Sequence, residues 1–229
     1  MLHRAIGCVL VALVAVVCWA QGPKAEEKDN APPDGFVALF NGQDLTGWKG
    51  LVSNPPKRAA MSEQELAEAQ AAADEKMREH WSVEDGVLVF DGKGQNICTV
   101  KDYGDFELYV DWKIEPQGDS GIYLRGTPQV QIWDNPIGSG GLFNNKVHPS
   151  EPIINADRPP GQWNRFFIRM IGEKVTVYLN DTLVVDNVTM ENYWERDKPI
   201  DPTGQIELQN HGNTLYFKNI YVRELRGEQ

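Results

Sequence analysis

The amino-acid sequence predicts an all-β fold, an antiparallel β-sandwich carrying one inserted surface helix. Alternation is the first observation behind this. Over residues 175–179 the apolar Val175, Val177 and Leu179 fall on one face and Thr176 and Tyr178 on the other, the period-two signature of a half-buried strand. The second is punctuation: Gly172-Glu173-Lys174 and Asn180-Asp181 separate three such segments, which reads as a meander of hairpins. The third is that no long helical pattern interrupts the second half of the chain, which argues against a parallel α/β sheet.

The elements follow in order. His3 and Arg4 precede an apolar run from Ile6 to Trp19 that closes on the small residue Ala20. Residues 1–20 therefore read as a signal peptide, too short for a good membrane span. Export to the periplasm or the medium is expected, with no transmembrane span in the mature chain. Lipid attachment at Cys18 is the weaker alternative, because Val17 is larger than the residue that normally precedes such a site. Cleavage after Ala20 leaves Cys98 without a disulfide partner, and its place beside Ile97 and Val100 is that of a small buried hydrophobe. Residues 21–34, rich in Lys, Glu, Asp, Ala and Pro, are expected to be a disordered linker.

A single domain is expected over residues 35–226. Phe36, Leu39 and Phe40 form its first strand, and Asn41-Gly42 turns the chain toward Trp48. Ser62 and Glu65 make a capping box ahead of an Ala-, Glu- and Gln-rich run, so residues 62–80 are the inserted helix. Leu66, Ala69, Ala73 and Met77 give it one face to dock. Strands resume at Trp81, turn at Glu84-Asp85-Gly86, and continue over 87–90 and 105–114. In the last of these Phe106, Leu108, Val110 and Trp112 face one way and Glu107, Tyr109, Asp111 and Lys113 the other. Residues 135–162 carry Gly, Pro and Asn without any period, a long loop of the kind that serves function or clasps a sheet.

With 33 acidic and 22 basic residues the chain has a formal net charge of −11, and no basic cluster interleaved with aromatics. Nucleic acid and anionic membrane surfaces are poor partners for such a surface. Zinc-ligand spacing, phosphate loops and Gly-x-Ser-x-Gly elbows are all missing from the sequence. No cofactor is expected: a structural Ca²⁺ held by Asp134 or Asp157 has no ligand spacing to support it.

Alternation also sorts the polar residues. Ile122 and Leu124 point to the core and Tyr123 and Arg125 away from it. Val130 and Ile132 leave Gln129, Gln131 and Trp133 outward, and Ile206 and Leu208 leave Glu207, Gln209 and His211 outward. If these strands share one sheet, Glu107, Asp111, Tyr123, Arg125, Gln131, Trp133, Gln209 and His211 converge on one surface. Aromatic rings, amides, carboxylates and a guanidinium suit a carbohydrate, whose C–H faces stack and whose hydroxyls pair. The plainer alternative is a solvated outer face, with Arg125 in a structural ion pair to Glu107 or Asp111 and His211 capping a turn. His148, in the long loop, is expected to be exposed and inert.

The motifs FVALFNGQDLTGW, WSVEDGVL, GDSGIYLRG, QVQIWD, GQWN and GQIELQNHG…FKNIYVREL together resemble the 3-keto-disaccharide hydrolase domain family from about Gly35 to Leu225. The resemblance implies a concanavalin A-like jelly roll, export, and hydrolysis of glycosides oxidised to a ketone at C3. Asp119 stands where the family usually has Asn, and Pro128-Gln129 where a Glu often precedes Val-Gln. A C3 ketone acidifies the C2 hydrogen, so a base can remove it and the C1 substituent can leave by elimination before water adds back. On this reading Glu107 or Asp111 is the base, Arg125 stabilises the oxyanion and His211 is the acid, with Tyr123, Gln131, Trp133 and Gln209 holding the sugar. Direct displacement between two carboxylates is the other route. A non-catalytic, lectin-like carbohydrate-binding module is the alternative function, since such sandwiches host both.

Overall fold

The alternating segments pair into two antiparallel sheets. The structure, a computed structural model, describes residues 28–225. The signal peptide expected at 1–20, and residues 21–27 of the expected linker, lie outside the described residues. In chain order the elements are β1 (Val37–Ala38), β2 (Trp48–Gly50), α1 (Pro55–Ala59), α2 (Glu63–His80), β3 (Trp81–Glu84), β4 (Val87–Phe90), β5 (Ile97–Thr99) and β6 (Phe106–Ile114). They continue with β7 (Asp119–Leu124), β8 (Thr127–Trp133), β9 (Asn164–Ile171), β10 (Lys174–Leu179), β11 (Thr182–Thr189), β12 (Glu207–Leu208) and β13 (Leu215–Glu224).

An eight-stranded back sheet runs β11-β10-β9-β6-β13-β4-β3, with β1 also on β13, and a five-stranded front sheet runs β2-β5-β12-β7-β8. Every pairing between named strands is antiparallel. The predicted sandwich forms because the inward residues of both sheets are apolar. Phe106, Leu108, Val110, Phe166, Ile168 and Met170 of the back sheet and Ile97, Ile122, Leu124, Val130, Ile132 and Leu208 of the front sheet are all fully buried in one core. The β10–β11 turn places Asn180 at φ 50° and Asp181 at φ 66°, the left-handed conformation that a two-residue hairpin requires and that Asn and Asp tolerate.

The inserted helix begins where the capping box predicts: the Ser62 side chain accepts from the Glu65 N–H, and the Glu65 carboxylate accepts from the Ser62 N–H. Ala73 and Met77 are buried and lie on the predicted face. α2 packs directly on edge strand β2, where a Cβ on Gly50 would lie 2.0 Å from the Ala73 carbonyl oxygen. Gln70 donates to the Gly50 carbonyl at 2.8 Å, and Asp74 accepts the Gly50 N–H at 2.9 Å. A second helix, α1, is an addition to the expectation. At five residues it is too short to show a period, and Asn54 caps it ahead of two prolines.

The expected disordered linker is corrected from residue 28 onward. Asn30 and Asn219 exchange backbone-to-side-chain bonds at 2.7 and 3.0 Å, and Asp29 pairs with Lys218 at 2.7 Å. Polar bonding rather than apolar burial holds this strap, so no hydrophobic pattern marks it. The long loop after β8 behaves as a clasp: Gln131 and the 140–141 backbone exchange bonds at 2.9 and 2.8 Å, which covers an otherwise open sheet edge. His148 of this loop sits 3.2 Å from Glu191. Burial opposes ionisation of Glu191, yet backbone N–H groups of His148, Lys146 and Val147, with the His148 ring, hold its carboxyl at about 2. Among the described residues no helix is long and apolar enough to cross a membrane.

Candidate active site

The surface expected to gather eight residues is divided between the two sheets. β6 pairs with β9 and β13, whereas β7 pairs with β8 and β12, so the short turn at 115–118 carries the chain from back sheet to front. Alternation continues through such a crossing and cannot reveal it. Glu107 and Asp111 therefore lie on the outer face of the back sheet, away from Tyr123 and Gln131. Each is already engaged. Asp111 takes a two-pronged pair from Arg165 at 2.6 and 2.9 Å and a bond from Asn219 at 2.7 Å. Glu107 receives Arg223 through Nε at 2.8 Å and through Nη2, with Arg169 3.8 Å away.

Arg125 also departs from the expectation. Its φ of 54° takes it out of the strand alternation, and its side chain, 4% exposed, donates to the Gly104 carbonyl at 2.8 Å and to Asp105 at 2.6 Å. It is a structural clamp at the end of β7, and its carboxylate partner is Asp105 in place of Glu107 or Asp111.

The other five residues do meet, on the outer face of the front sheet. Strand register sets Lys49, Cys98, Glu207 and Tyr123 side by side in one row, and Asp119 beside Trp133 in another. Gln209 donates to the Tyr123 hydroxyl at 3.3 Å. Gln129 donates to Gln131, which donates to Asp119 at 2.8 Å, and His211 Nδ1 lies 3.8 Å from the other Asp119 oxygen. A Cβ on Gly121 would lie 2.8 Å from the Gln129 amide carbon, so glycine there lets this chain of amides lie flat. Trp133 is fixed by its indole N–H on the Gly138 carbonyl at 2.7 Å, and Phe143 meets it edge-on at 5.3 Å.

Glu207 sits at the centre of this face. It is 1% exposed, and burial pushes its carboxyl up to about 8, against the opposing influence of Arg58 and the Asn96 side chain. At neutral pH it is mostly a carboxylic acid, able to donate a proton. A Cβ on Gly126 would stand 3.5 Å from Glu207 Oε1 and 3.7 Å from Arg58 Nη2, so the space above the carboxyl is walled by the β7–β8 turn and α1. Trp194 extends that wall, its indole donating to the Gly126 carbonyl at 2.8 Å. Burial, then the neighbouring Glu207, pushes the Tyr123 phenol up to about 12, so it remains a hydrogen-bond donor. The same two causes push the Cys98 thiol up to about 12, which makes it a poor nucleophile. Gln209 Oε1 is buried with no partner.

Sequence alternation put Glu207 on the polar face but assigned it no role. Its burial depends on α1, 150 positions earlier, and no local pattern announces that contact. Asp134 accepts the Gln117 N–H at 2.9 Å and Asp157 the Ser139 N–H at 2.7 Å. Among the described residues no cluster of three or more His, Cys, Asp or Glu is placed to hold a metal ion.

A 3-keto-disaccharide hydrolase from Bacteroides thetaiotaomicron is 23% identical over 271 aligned positions, spanning 91% of this chain and 86% of the relative. Two crystal structures from Parabacteroides distasonis ATCC 8503, described as candidate glycosyl hydrolases, share the fold. They superpose with TM-scores of 0.65 and 0.63 at 27% and 28% identity, covering 87% and 84% of this chain and 100% and 85% of theirs. Residues 35–223 match the 3-keto-alpha-glucoside-1,2-lyase-like domain, and the chain belongs to that family.

Proposed function

We propose that the protein is an exported glycosidase-type hydrolase that cleaves 3-keto-glycosides on the outer face of its front sheet. The observation that carries this reading is Glu207, a carboxyl kept protonated by burial in the middle of a face of amides and aromatics. The Asp119–His211 pair removes the C2 proton, which the neighbouring C3 ketone makes acidic. The enolate that forms, hydrogen-bonded by donors such as the Tyr123 hydroxyl, collapses by breaking the C1–O bond. Glu207 delivers its proton to the departing oxygen. Water then adds across the C1=C2 bond of the enone, hydroxyl to C1 and hydrogen to C2, so the net change is hydrolysis. Gln131, Gln129 and Gln209 hold the sugar hydroxyls and Trp133 offers an apolar ring face. Export rests on the apolar run behind His3 and Arg4.

Turnover of a 3-keto-glucoside and of its unoxidised parent by purified residues 21–229 tests the proposal. Cleavage of the keto sugar alone is expected, because only it has an acidic C2 hydrogen. Equal cleavage of both would replace elimination by direct displacement, and binding of the sugar without cleavage would replace the enzyme by a lectin-like module.

A further inference from the structure

Beside Glu207 the front face opens into a cleft of about 630 Å³ between the sheet and the inserted helices. Its floor holds Lys49, Cys98 and Gln205, and its walls are Val52, Arg58 and Ala59 on one side and Leu66 with Ala67 of α2 on the other. Gln205 precedes Glu207 by two positions and so shares its face. It is 8% exposed, and its Oε1 is buried without a hydrogen-bond partner. A buried amide left unpaired is costly unless a ligand completes it. The walls combine the aliphatic Val52, Ala59, Leu66 and Ala67 with Arg58, Glu63 and Gln70 and carry no aromatic ring, whereas sugar faces are usually met by aromatic rings. Two cations line the space in a chain of net charge −11. Arg58 is anchored through Nη1 to the Val52 and Ser53 carbonyls at 3.2 and 2.6 Å. Lys49 has no ion-pair partner among the described residues, and Glu63 is the single carboxylate in the lining.

Resting on the function proposed above, we infer that this cleft is the leaving-group pocket and that it takes a non-sugar aglycone with an apolar body bearing a carboxylate. The departing oxygen lies toward Glu207 and, once it carries the proton, donates to Gln205 Oε1; the apolar body lies against Leu66, Ala67 and Val52, and Lys49 meets the carboxylate.

Two measurements on the full mature chain separate this inference from the parent reading. The first is calorimetric binding of free 4-hydroxybenzoate, phenol and glucose, which requires no turnover. The second is kcat/KM for the 3-keto-glucosides of 4-hydroxybenzoate and phenol and for a 3-keto-disaccharide. 4-Hydroxybenzoate is expected to bind about ten-fold more tightly than phenol, and its glucoside to be preferred by a similar factor, as one charge-assisted contact supplies. Lys49→Met brings the ratio between the two aryl ligands to about one, and Leu66→Arg, which fills the cleft, abolishes binding of both. Equal binding of phenol and 4-hydroxybenzoate, or a preference for the disaccharide, overturns the aglycone class. Tight 4-hydroxybenzoate binding with no cleavage of any keto sugar sinks the catalytic reading and leaves the pocket standing.

Discussion

The two outer faces of the sandwich carry buried carboxyls that are partnered in opposite ways. On the back sheet Glu107 and Asp111 are each 6% exposed, and each meets at least one arginine. On the front sheet Glu207 is 1% exposed, and the cation beside it, Arg58, spends one nitrogen on backbone carbonyls. A buried carboxylate that is paired with arginine and hydrogen-bonded holds structure together, whereas a carboxyl that loses water without an adequate partner keeps its proton. Burial alone therefore does not mark a chemical group. Burial without matched pairing does, and that is found on the face with open clefts and amides.

Removing the lone acid sharpens the contrast most. Glu207→Gln keeps the shape and loses the proton donor, so kcat on a 3-keto-glucoside is expected to fall ~10³-fold, about 4 kcal/mol of barrier. The wild-type rate should decline as pH rises through about 8, the value to which burial pushes this carboxyl, and the variant should lose that limb. Linkage gives the sign for stability. A folded value raised above the ordinary 4.5 means the native state binds the proton more tightly, so its contribution is fully present below 4.5 and is lost as pH rises to about 8. Unfolding by urea across that window should show the decline in wild type and a flatter profile in Glu207→Gln.

Gly50→Ala attacks the wall of the front face. Its Cβ would meet the Ala73 carbonyl at 2.0 Å, and a displacement of α2 costing about 3 kcal/mol is expected, read as a lower melting temperature and faster hydrogen exchange over 63–80. Asp111→Asn is the counterpart on the back face: about 2 kcal/mol of stability lost, with kcat held within about two-fold. A large kcat loss with stability intact would restore Asp111 as the base. Asp119→Asn should be the mildest, about a ten-fold drop in kcat, because it leaves the His211 ring in place but without its carboxylate.

The sandwich itself was legible because alternation is local. Val175, Val177 and Leu179 and their turn residues act over a few positions, and the Ser62–Glu65 box marks its helix within one turn. The site was legible by half. Tyr123, Gln131, Trp133, Gln209 and His211 lie on the expected face because period two fixes which way each side chain points. Glu107 and Asp111 went to the wrong surface because alternation states a face of a strand and is silent on which sheet the strand joins. Arg125 escaped for a different reason: one left-handed residue at the end of β7 breaks the period. Glu207 needed a long-range contact with α1 to become an acid, and the strap at 28–34 is held by Asn and Asp side chains that composition reads as solvated.

β13, the last of the back sheet's eight strands in chain order, occupies that sheet's interior, flanked along its whole length by β6 and on its other side by β4 and β1. Until the ribosome has released Leu215–Glu224, the earlier strands face a vacant central slot, with unpaired backbone groups on both sides of it. Assembly of the sandwich therefore waits, in its decisive step, for the last strand of its back sheet. The ladder closes between segments far apart in sequence, a topology that folds in milliseconds to seconds, and the nascent chain needs shielding from edge-to-edge association until that strand arrives.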